Sequence, residues 1–437
     1  MTAPGFGAPQ LVGTVAPAWL HQDMRVVIDR DIAGADVTAT ATLAGQSLAA
    51  TVVLDPVNAR ELDVALDPAA RGTGTLAIHV EGIVTGTDGA RGEIVADATA
   101  VLAPWSQPVV IDGVAAGSPA IAINTNGDVL AAWSAGEPGA RRLVVAQLVG
   151  DSWQSLGDPP STSDPSSPAI ALDEHGAPVV AWVEATRAHA ARWNGFHWEV
   201  LAAPGAGTQL ALAAPPGGAP VLALFGASAS VSELTVDGNW RPLVDDVPLQ
   251  FVGEPQLAVG SADRLAIAWI DAMSTLHVAR LSRGAWTVLA PIELGRPPIG
   301  FDRASIAVRG DVTAVAYDRW ADSFDVEAAE AVGDATTWTP VGPALDARAA
   351  DDAFAPAIAL DAQLRPLVAW TEVAGADVRG LASRWDGRAW GDLAAASWLP
   401  DATTVPTRPA LALATGDAPV IAATVAGTAS VALHNGP

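Results

Sequence analysis

The sequence contains no cysteine and no lysine, and it has a single tyrosine. Without cysteine, the chain has no disulfides, no thiolate metal sites and no thiol nucleophile. The lack of lysine excludes Schiff-base enzymes and Walker-type phosphate loops. No segment approaches the roughly 18 consecutive apolar residues that a membrane-spanning helix needs. These absences remove several large classes of enzyme and of membrane protein.

Positive charge is also scarce, since 23 arginines face 48 acidic residues and the formal net charge is -25. Such a chain repels phosphate backbones and anionic lipids, so we expect no nucleic-acid partner and no membrane insertion. The first residues, MTAPGFGAPQLVG, lack the basic and apolar regions of a signal peptide. From the function considered below we expect an extracellular or cell-surface location, and a cytoplasmic one stays open.

What the sequence does contain favours β structure. Half of the 437 residues are hydrophobic, and 41 glycines and 33 prolines divide the chain into short runs rich in Val, Ala, Leu and Thr. This hydrophobic content argues against intrinsic disorder. Frequent turn residues between short apolar runs are typical of strands and not of long helices. The composition therefore predicts an all-β fold.

One phrase recurs seven times along the chain. Four copies end in tryptophan, namely SPAIAINTNGDVLAAW at Trp133, SPAIALDEHGAPVVAW at Trp182, EPQLAVGSADRLAIAW at Trp269 and APAIALDAQLRPLVAW at Trp370, and weaker copies end at Leu224, Tyr317 and Ala423. The copies are about 48 residues apart, and a period of about 40 to 50 residues with several strands is the size of one propeller blade.

Each repeat continues with a second hairpin. Its turn is Asn194-Gly195, Asp237-Gly238 or Asp386-Gly387 in the clearest copies, followed by a tryptophan that opens another strand. Asn-Gly and Asp-Gly tolerate the positive φ angles of a two-residue hairpin turn. Two hairpins per repeat predict a four-stranded antiparallel meander. Seven such sheets bury both faces only when they pack radially.

The tryptophans of the fourth strands show how the ring closes. They recur at 153, 198, 240, 286, 338 and 390, and the next would fall beyond the end of the sequence. The segment PWSQPVVIDG carries a matching tryptophan, Trp105, before the first repeat. We therefore predict a seven-bladed β-propeller over residues 104–437, with residues 104–112 supplying the outer strand of the last blade. Such closure protects the sheet edges.

Residues 1–103 lack the repeated phrase. They hold about seven short alternating segments, such as MRVVIDR, DVTATATLAG and ELDVALD, separated by Gly, Asp, Asn and Pro turns. This pattern predicts an N-terminal immunoglobulin-like β-sandwich, although the cysteine pair and central tryptophan of antibody domains are absent.

The repeat also carries a resemblance to known proteins. The ending Trp153-Gln154-Ser155-Leu156-Gly157, echoed from Trp338 to Gly342, resembles the repeats of seven-bladed bacterial β-propeller lectins of the fucose-binding type and of other secreted bacterial propeller proteins. The resemblance covers residues 104–437 and implies the propeller fold. The polar and aromatic run that forms sugar pockets in those lectins has no match here, as in VEATRAHA after Trp182, so no binding residue is carried over.

The sequence offers little sign of catalysis. Its seven histidines show no ligand spacing, and neither a calcium-binding Asp-x-Asp-x-Asp-Gly loop nor a sialidase Asp box occurs, so we expect no metal, no cofactor and no catalytic residue. The single tyrosine, Tyr317, takes the place of a repeat tryptophan, and we expect it to pack in the core.

Candidate binding residues lie where the connections between strands vary in length, as in IELGRPPIGFDR, VGPALDARAADDAF and AAASWLPDATTVPTR. Four acidic residues lie in these connecting loops, one or two residues past the aromatic residue of the second strand, and we expect them to contribute to an acidic ring near the axis of the propeller: Glu184, Asp271, Asp318 and Glu372. The alternative is that they are solvated loop residues.

Two tryptophans, Trp320 and Trp398, belong to neither series of strand tryptophans and fall in connecting loops. An exposed indole offers a flat apolar face against which a sugar or a partner side chain can stack. The alternative is that each folds down onto a blade. Trp19 we assign to packing within the N-terminal domain.

The sequence thus favours a non-catalytic recognition or adhesion protein that binds a glycan or protein partner through the rim of variable loops. Two alternatives stay open. One is a propeller hydrolase or lyase that acts on polysaccharide with a carboxylate pair drawn from Glu184, Asp271 and Glu372. The other is a structural or assembly component.

Overall fold

The computed structural model describes residues 8–435 except 18, 20–21, 56–57, 68–69, 71, 104, 107–108, 115–117, 150–151, 163, 227–228, 245–254, 262, 296–303, 322, 346–350, 394–396, 400–403 and 405. These residues form strands and turns, with one short 3-10 turn at Thr415–Asp417 and no α-helix. The all-β prediction is confirmed. No helix in this part of the chain is long and apolar enough to cross a membrane.

The first eight strands form two four-stranded antiparallel sheets, ordered β1-β2-β6-β5 and β4-β3-β7-β8. Their bounds are Leu11–Val15 (β1), Met24–Ile28 (β2), Ile32–Leu43 (β3), Gln46–Leu48 (β4), Ala50–Leu54 (β5), Glu61–Leu66 (β6), Gly74–Gly86 (β7) and Arg91–Leu102 (β8). Exposed and buried residues alternate along most of β8, with Ile94, Ala96 and Ala98 on the buried face. Both sheets contribute to one core, with Met24 and Leu62 from the first and Ile78 and Ile94 from the second.

Seven further sheets follow, which we number I to VII; each has a main path of four antiparallel strands. The strand before them is β9 (Val109–Val114). The strands of sheets I to III are Ala120–Ile123 (β10), Val129–Ala135 (β11), Arg142–Val149 (β12) and Ser152–Ser155 (β13) in sheet I; Ser166–Leu172 (β14), Pro178–Glu184 (β15), Arg187–Trp193 (β16), Trp198–Val200 (β17) and the short Gly205–Ala206 (β18) in sheet II; and Gln209–Ala213 (β19), Val221–Phe225 (β20), Ala229–Leu234 (β21) and Trp240–Val244 (β22) in sheet III.

The remaining sheets repeat the same plan. Their strands are Gln256–Ser261 (β23), Arg264–Ile270 (β24), Thr275–Ser282 (β25), Ala285–Val288 (β26) and the short Ile292–Glu293 (β27) in sheet IV; Ala304–Arg309 (β28), Val312–Trp320 (β29), Phe324–Val332 (β30) and Thr339–Pro340 (β31) in sheet V; Asp352–Leu360 (β32), Pro366–Ala374 (β33), Asp377–Trp385 (β34) and Trp390–Asp392 (β35) in sheet VI; and Ala410–Leu413 (β36), Pro419–Val425 (β37) and Thr428–Leu433 (β38) in sheet VII. The predicted four-stranded meander is present in each.

The second strands of the sheets are the most deeply buried. The segments VLAAWSA of β11 and PVVAWVE of β15 are buried along their whole length. Continuous apolar runs of this kind suit strands that are covered on both faces by neighbouring sheets.

The sheets contact one another in a cycle through their first strands. Strand β10 lies beside β14, β14 beside β19, β19 beside β23, β23 beside β28, β28 beside β32 and β32 beside β36, and β36 returns to β10. Sheet VII has the order β36-β37-β38-β9, so its fourth strand comes from before sheet I. Trp105 continues this pairing through an isolated bridge to His434, and the two rings contact each other edge to face at 4.6 Å.

Fourth-strand tryptophans connect consecutive sheets. The Nε1 atom of Trp338 donates a hydrogen bond to the carbonyl of Ala290 in the preceding repeat at 2.8 Å. Trp390 donates to Pro343 in the same way at 3.1 Å. Beside it, the glycine of the Trp-x-x-Val-Gly ending, Gly342, has a φ of +68°, and a Cβ there would lie 2.5 Å from the Trp385 ring. The recurring motif therefore has a structural explanation in the contact between sheets.

The predicted turn residues are found in their turns, but the two-residue turn length is wrong. The pairs Trp193↔Trp198 and Trp385↔Trp390 enclose four residues each. Asn194 Oδ1 accepts hydrogen bonds from the amides of Phe196 and His197, at 3.0 and 2.9 Å. Because this side chain satisfies backbone donors inside the loop, a longer turn is stable.

Candidate functional site

The four predicted carboxylates occupy similar places in four sheets, but not in open loops. Glu184, Asp318 and Glu372 lie within second strands and are 6%, 2% and 0% exposed, and Asp271 directly follows β24 and is half-buried. The prediction of loop positions is wrong for the three buried residues. The apolar strand continues past the tryptophan, because the neighbouring sheet and the preceding loop cover its end.

Glu184 is held by the segment that leads into its own sheet. Its Oε1 accepts the amide of Thr162 at 2.8 Å, and its Oε2 accepts the Thr162 hydroxyl at 2.6 Å. The indole of Trp182 donates to Oε1 at 2.9 Å. Burial alone would raise the pKa of Glu184, but these hydrogen bonds outweigh it and the pKa lies below its usual value. The carboxylate is therefore ionised and fully engaged.

Asp271 caps the turn between β24 and β25. Its Oδ1 accepts the amides of Met273 and Thr275 at 2.8 and 3.1 Å, and its Oδ2 lies 2.8 Å from Nε2 of His277. Partial burial raises the pKa of Asp271, but the hydrogen bonds from His277 and the two amides lower it by more. The pKa of Asp271 therefore lies below its usual value. The His277 ring stacks on Trp269 at 5.3 Å.

The other two carboxylates contact residues of sheet VI. Oδ1 of Asp318 accepts the amide of Ala355 at 3.0 Å, where the backbone has a φ of +57° and β32 is bulged. Nη2 of Arg379 donates a hydrogen bond to Oε1 of Glu372 at 2.8 Å and also lies 3.3 Å from Oδ2 of Asp351. Both carboxylates therefore stabilise the path of the chain.

The structure does not join the four carboxylates into a metal-binding or catalytic group. Within the described part of the chain, the one group of three acidic or histidine side chains with ligand atoms within 4.8 Å of one another contains none of the four. Each of the four carboxylates instead contacts residues of its own or a neighbouring sheet. The structure does not support the predicted acidic ring.

Trp398 is not an exposed indole. It is 2% exposed and packs with Trp105 and Leu399, and its Nε1 donates to the carbonyl of Leu381 at 3.0 Å. A Cβ at Gly380 would lie 2.3 Å from the indole ring, so the glycine makes room for it. The prediction of a ligand-binding face is therefore wrong for this residue, and its alternative, folding onto a blade, describes it.

Trp320 is partly exposed, although it ends strand β29 and does not lie in a loop as expected. Its ring packs edge to face against that of Phe324, with 4.7 Å between the ring centroids. The ring of Phe324 packs in the same way against Phe354 of sheet VI, with 6.4 Å between the centroids. All three rings are half-buried. We call Trp320, Phe324 and Phe354 the rim aromatic cluster. Its ring contacts connect sheets V and VI.

A polar group borders this cluster. The exposed carboxylate of Asp352 accepts the amide of Phe324 through Oδ1 at 3.0 Å. Sequence reasoning identified Trp320 but missed Phe324, Phe354 and Asp352. The signal was available in part, because Phe324 follows Trp320 by four residues and the chain has only seven phenylalanines.

Tyr317 and Arg319 lie on the opposite face of β29 from Trp320, because side chains alternate along a strand. The Tyr317 hydroxyl donates to Oε2 of Glu327 at 2.9 Å, and Arg319 pairs with the same carboxylate at 3.2 Å. Burial, and then the negative charge of Glu327, raise the pKa of Tyr317 well above its usual value. Sequence reasoning placed Tyr317 in the core, where it is 6% exposed, but did not find Glu327.

Some of the sequence that was expected to form the variable rim lies outside the described residues, namely 296–303, 346–350, 394–396 and 400–403. The described part of the rim therefore consists of strand ends and short connections around the rim aromatic cluster.

No protein-family model matches the chain, and no curated protein matches it. Several solved structures are similar. The beta-propeller domain of Cps50 (Swd1) from Myceliophteria thermophila has a TM-score of 0.48 and 10% identity over 76% of this chain and 100% of that chain. The SapL1 lectin in complex with alpha methyl fucoside has a TM-score of 0.43 and 13% identity over 66% of this chain and 99% of that chain. The Hadza microbial sialidase Hz136 has a TM-score of 0.42 and 13% identity over 83% of this chain and 96% of that chain. These similarities assign neither a family nor an activity.

Proposed function

We propose that the chain is a non-catalytic recognition protein, in which an immunoglobulin-like sandwich of residues 1–103 precedes a seven-bladed β-propeller of residues 104–437. Sheets I to VII are its blades, and strand β9 completes the last one. The cycle of first-strand contacts and the pairing of β9 with β38 support this assignment. The protein acts outside the cell or on its surface.

The observation that carries the binding function is the rim aromatic cluster. Trp320, Phe324 and Phe354 expose apolar ring surface at the ends of strands that rigid sheets hold in place. Asp352 places an acceptor for hydroxyl groups beside these rings. Ring surface with a few polar groups at its edge suits a saccharide, whose C–H face stacks on aromatics and whose hydroxyls donate hydrogen bonds. We therefore favour a glycan over a protein ligand.

The charge states of the carboxylates do not favour the hydrolase alternative. A glycosidase needs one carboxyl group that stays protonated as general acid, and its pKa is raised for that purpose. The pKa values of Glu184 and Asp271, two of the three candidate carboxylates, are shifted downward. A tyrosine nucleophile would need a lowered pKa, whereas that of Tyr317 is raised.

A glycan array with the full chain tests the proposal. We expect binding of a defined saccharide that Trp320→Ala and Phe354→Ala each weaken by about fivefold or more, since stacking contacts contribute about 1 kcal/mol or more. Phe196→Ala is the matched control, because Phe196 is 89% exposed on the turn between β16 and β17, away from the cluster.

The proposed site is contradicted if Phe196→Ala weakens saccharide binding as much as the two cluster variants do, or if none of the three variants changes the affinity. Saccharide turnover by the wild type would favour the hydrolase. Absence of both binding and turnover would favour a structural or assembly role.

A further inference from the structure

The N-terminal sheets meet sheet I at a polar junction. Trp19, expected to pack within the N-terminal domain, instead lies in a core with residues of sheets I and VII, and its Nε1 donates to the carbonyl of Gly127 at 3.2 Å. The amide of Asp23 donates to the carbonyl of Asn126 at 3.0 Å. The turn at 124–128, between β10 and β11, therefore docks on the outer face of the first N-terminal sheet.

Negative charge accumulates at this junction. Five carboxylates lie there: Asp23, Asp55, Glu61, Asp63 and Asp128. The guanidinium of Arg25 pairs with Asp128, which also accepts the side-chain amide of Gln147 at 2.8 Å. Arg60, on the turn between β5 and β6, pairs with Asp31 instead, at 2.7 Å. Asp128 is thus compensated by Arg25 and Gln147.

Three of these carboxylates come together on the first N-terminal sheet. Asp55 follows β5, and Glu61 and Asp63 lie two residues apart on β6, so their side chains share one face. One oxygen of each lies within 4.8 Å of the others. Asn58 holds the turn, because its amide donates to Asp55 Oδ1 at 2.8 Å and its Nδ2 donates to Glu61 Oε1 at 2.6 Å.

Asp63 is the unusual member of the group. It is 1% exposed, its Oδ2 accepts Nδ2 of Asn126 at 3.2 Å, and its Oδ1 is buried with no hydrogen-bond partner among the described residues. Buried polar atoms nearly always have a partner, and an unpaired carboxylate oxygen is especially costly. Burial, followed by the charges of Asp55 and Asp23, raises the pKa of Asp63 to about 7. A bound cation would give this buried oxygen a partner and offset the negative charge of the three neighbouring carboxylates.

We propose that Asp55, Glu61 and Asp63 bind a divalent metal ion, with Ca²⁺ as the ion best suited to the donors. The ligands are oxygen atoms only, which hard cations prefer, and they come from a hairpin turn and a strand. Ca²⁺ tolerates the irregular geometry of such a set, whereas Mg²⁺ requires a near-ideal octahedron. Asn126 of sheet I contacts Asp63 directly, so ion binding also stabilises the contact between the N-terminal sheets and sheet I.

Calorimetric titration of the EDTA-treated full chain with CaCl₂, in sodium chloride at physiological ionic strength, tests the proposal. We expect one saturable site with a Kd of about 10⁻³ M or tighter, in the range of extracellular calcium modules. Asp63→Asn, which keeps the side-chain shape, should weaken binding at least about tenfold, because it removes one of three carboxylate charges. Ca²⁺ should also raise the Tm of the wild type but not that of the variant.

Glu61→Gln provides a second variant in case Asp63→Asn does not fold. Asp237→Asn is the control for general attraction of cations to an acidic protein, because Asp237 is an acidic turn residue of sheet III, outside the junction. It should bind Ca²⁺ as the wild type does. The proposal is overturned if the wild type shows no saturable site, or if Asp63→Asn and Glu61→Gln bind like the control. Tighter binding of Mg²⁺ than of Ca²⁺ would overturn the choice of ion.

Discussion

Replacing Trp398 by alanine should reduce stability more than replacing Trp320, whereas the loss of ligand binding should be larger for Trp320, although both tryptophans are equally plausible ligand contacts in the sequence. Trp398 is 2% exposed, packs over Gly380 and donates a hydrogen bond to Leu381. Removal of a buried indole costs about 3–5 kcal/mol, because the cavity cannot collapse fully around a rigid strand. Trp320 is partly exposed, and its edge-to-face contact with Phe324 contributes about 0.5–1.5 kcal/mol beyond burial.

Urea denaturation followed by far-ultraviolet circular dichroism measures the difference. We expect Trp398→Ala to lower the free energy of unfolding by about 3–5 kcal/mol and Trp320→Ala by about 1–2 kcal/mol. Ligand affinity should show the reverse order at a temperature where both variants are folded, since Trp398 offers no open face. The reasoning is refuted if Trp320→Ala destabilises as much as Trp398→Ala, or if Trp398→Ala removes binding while its unfolding free energy is unchanged.

Two further predictions concern the single tyrosine and the tryptophan contacts between sheets. The phenol of Tyr317 should stay protonated in the folded protein at pH values above about 10, where an exposed tyrosine ionises, because burial, and then Glu327, raise its pKa. The native state then holds this proton more tightly than the unfolded state, so stability should fall as pH rises above about 10. Phenolate difference absorbance checks this directly, and Glu327→Gln should lower the pKa only in part; ordinary titration in the folded wild type would contradict the prediction. Trp338→Phe should cost about 1 kcal/mol more than Trp286→Phe, because Trp338 Nε1 donates to Ala290 whereas Trp286 Nε1 is buried with no hydrogen-bond partner in the described structure. Equal unfolding free energies of these two variants would show that the hydrogen bond between sheets contributes nothing measurable.

Local signals in the sequence determine the sheets and their order. The apolar runs that end at Trp133 and Trp182 form second strands, and the turns at Asn194 and Asp386 join third to fourth strands. These features depend on residues close in the chain: side-chain alternation, turn chemistry and the position of each tryptophan. The length of the turns was wrong because side-chain hydrogen bonds, such as those of Asn194, stabilise a longer loop.

The candidate site depends on contacts that the sequence does not encode locally. Both Trp320 and Trp398 stand outside the repeat, yet Trp398 is buried over Gly380 whereas Trp320 is partly exposed. Glu184 is buried because Thr162, in the segment that leads into its sheet, donates two hydrogen bonds to its carboxylate.

The junction between the N-terminal sheets and sheet I shows the same division. Alternation along β6 predicts that Glu61 and Asp63 share a face, which follows from the sequence alone. Burial of Asp63 requires Asn126, which is 63 residues away in the chain and belongs to another sheet. Charge, periodicity and turn residues thus determine each strand and hairpin. Burial and the state of each carboxylate are decided by which surfaces meet, because desolvation and electrostatic interaction depend on distance in space and not on distance along the chain.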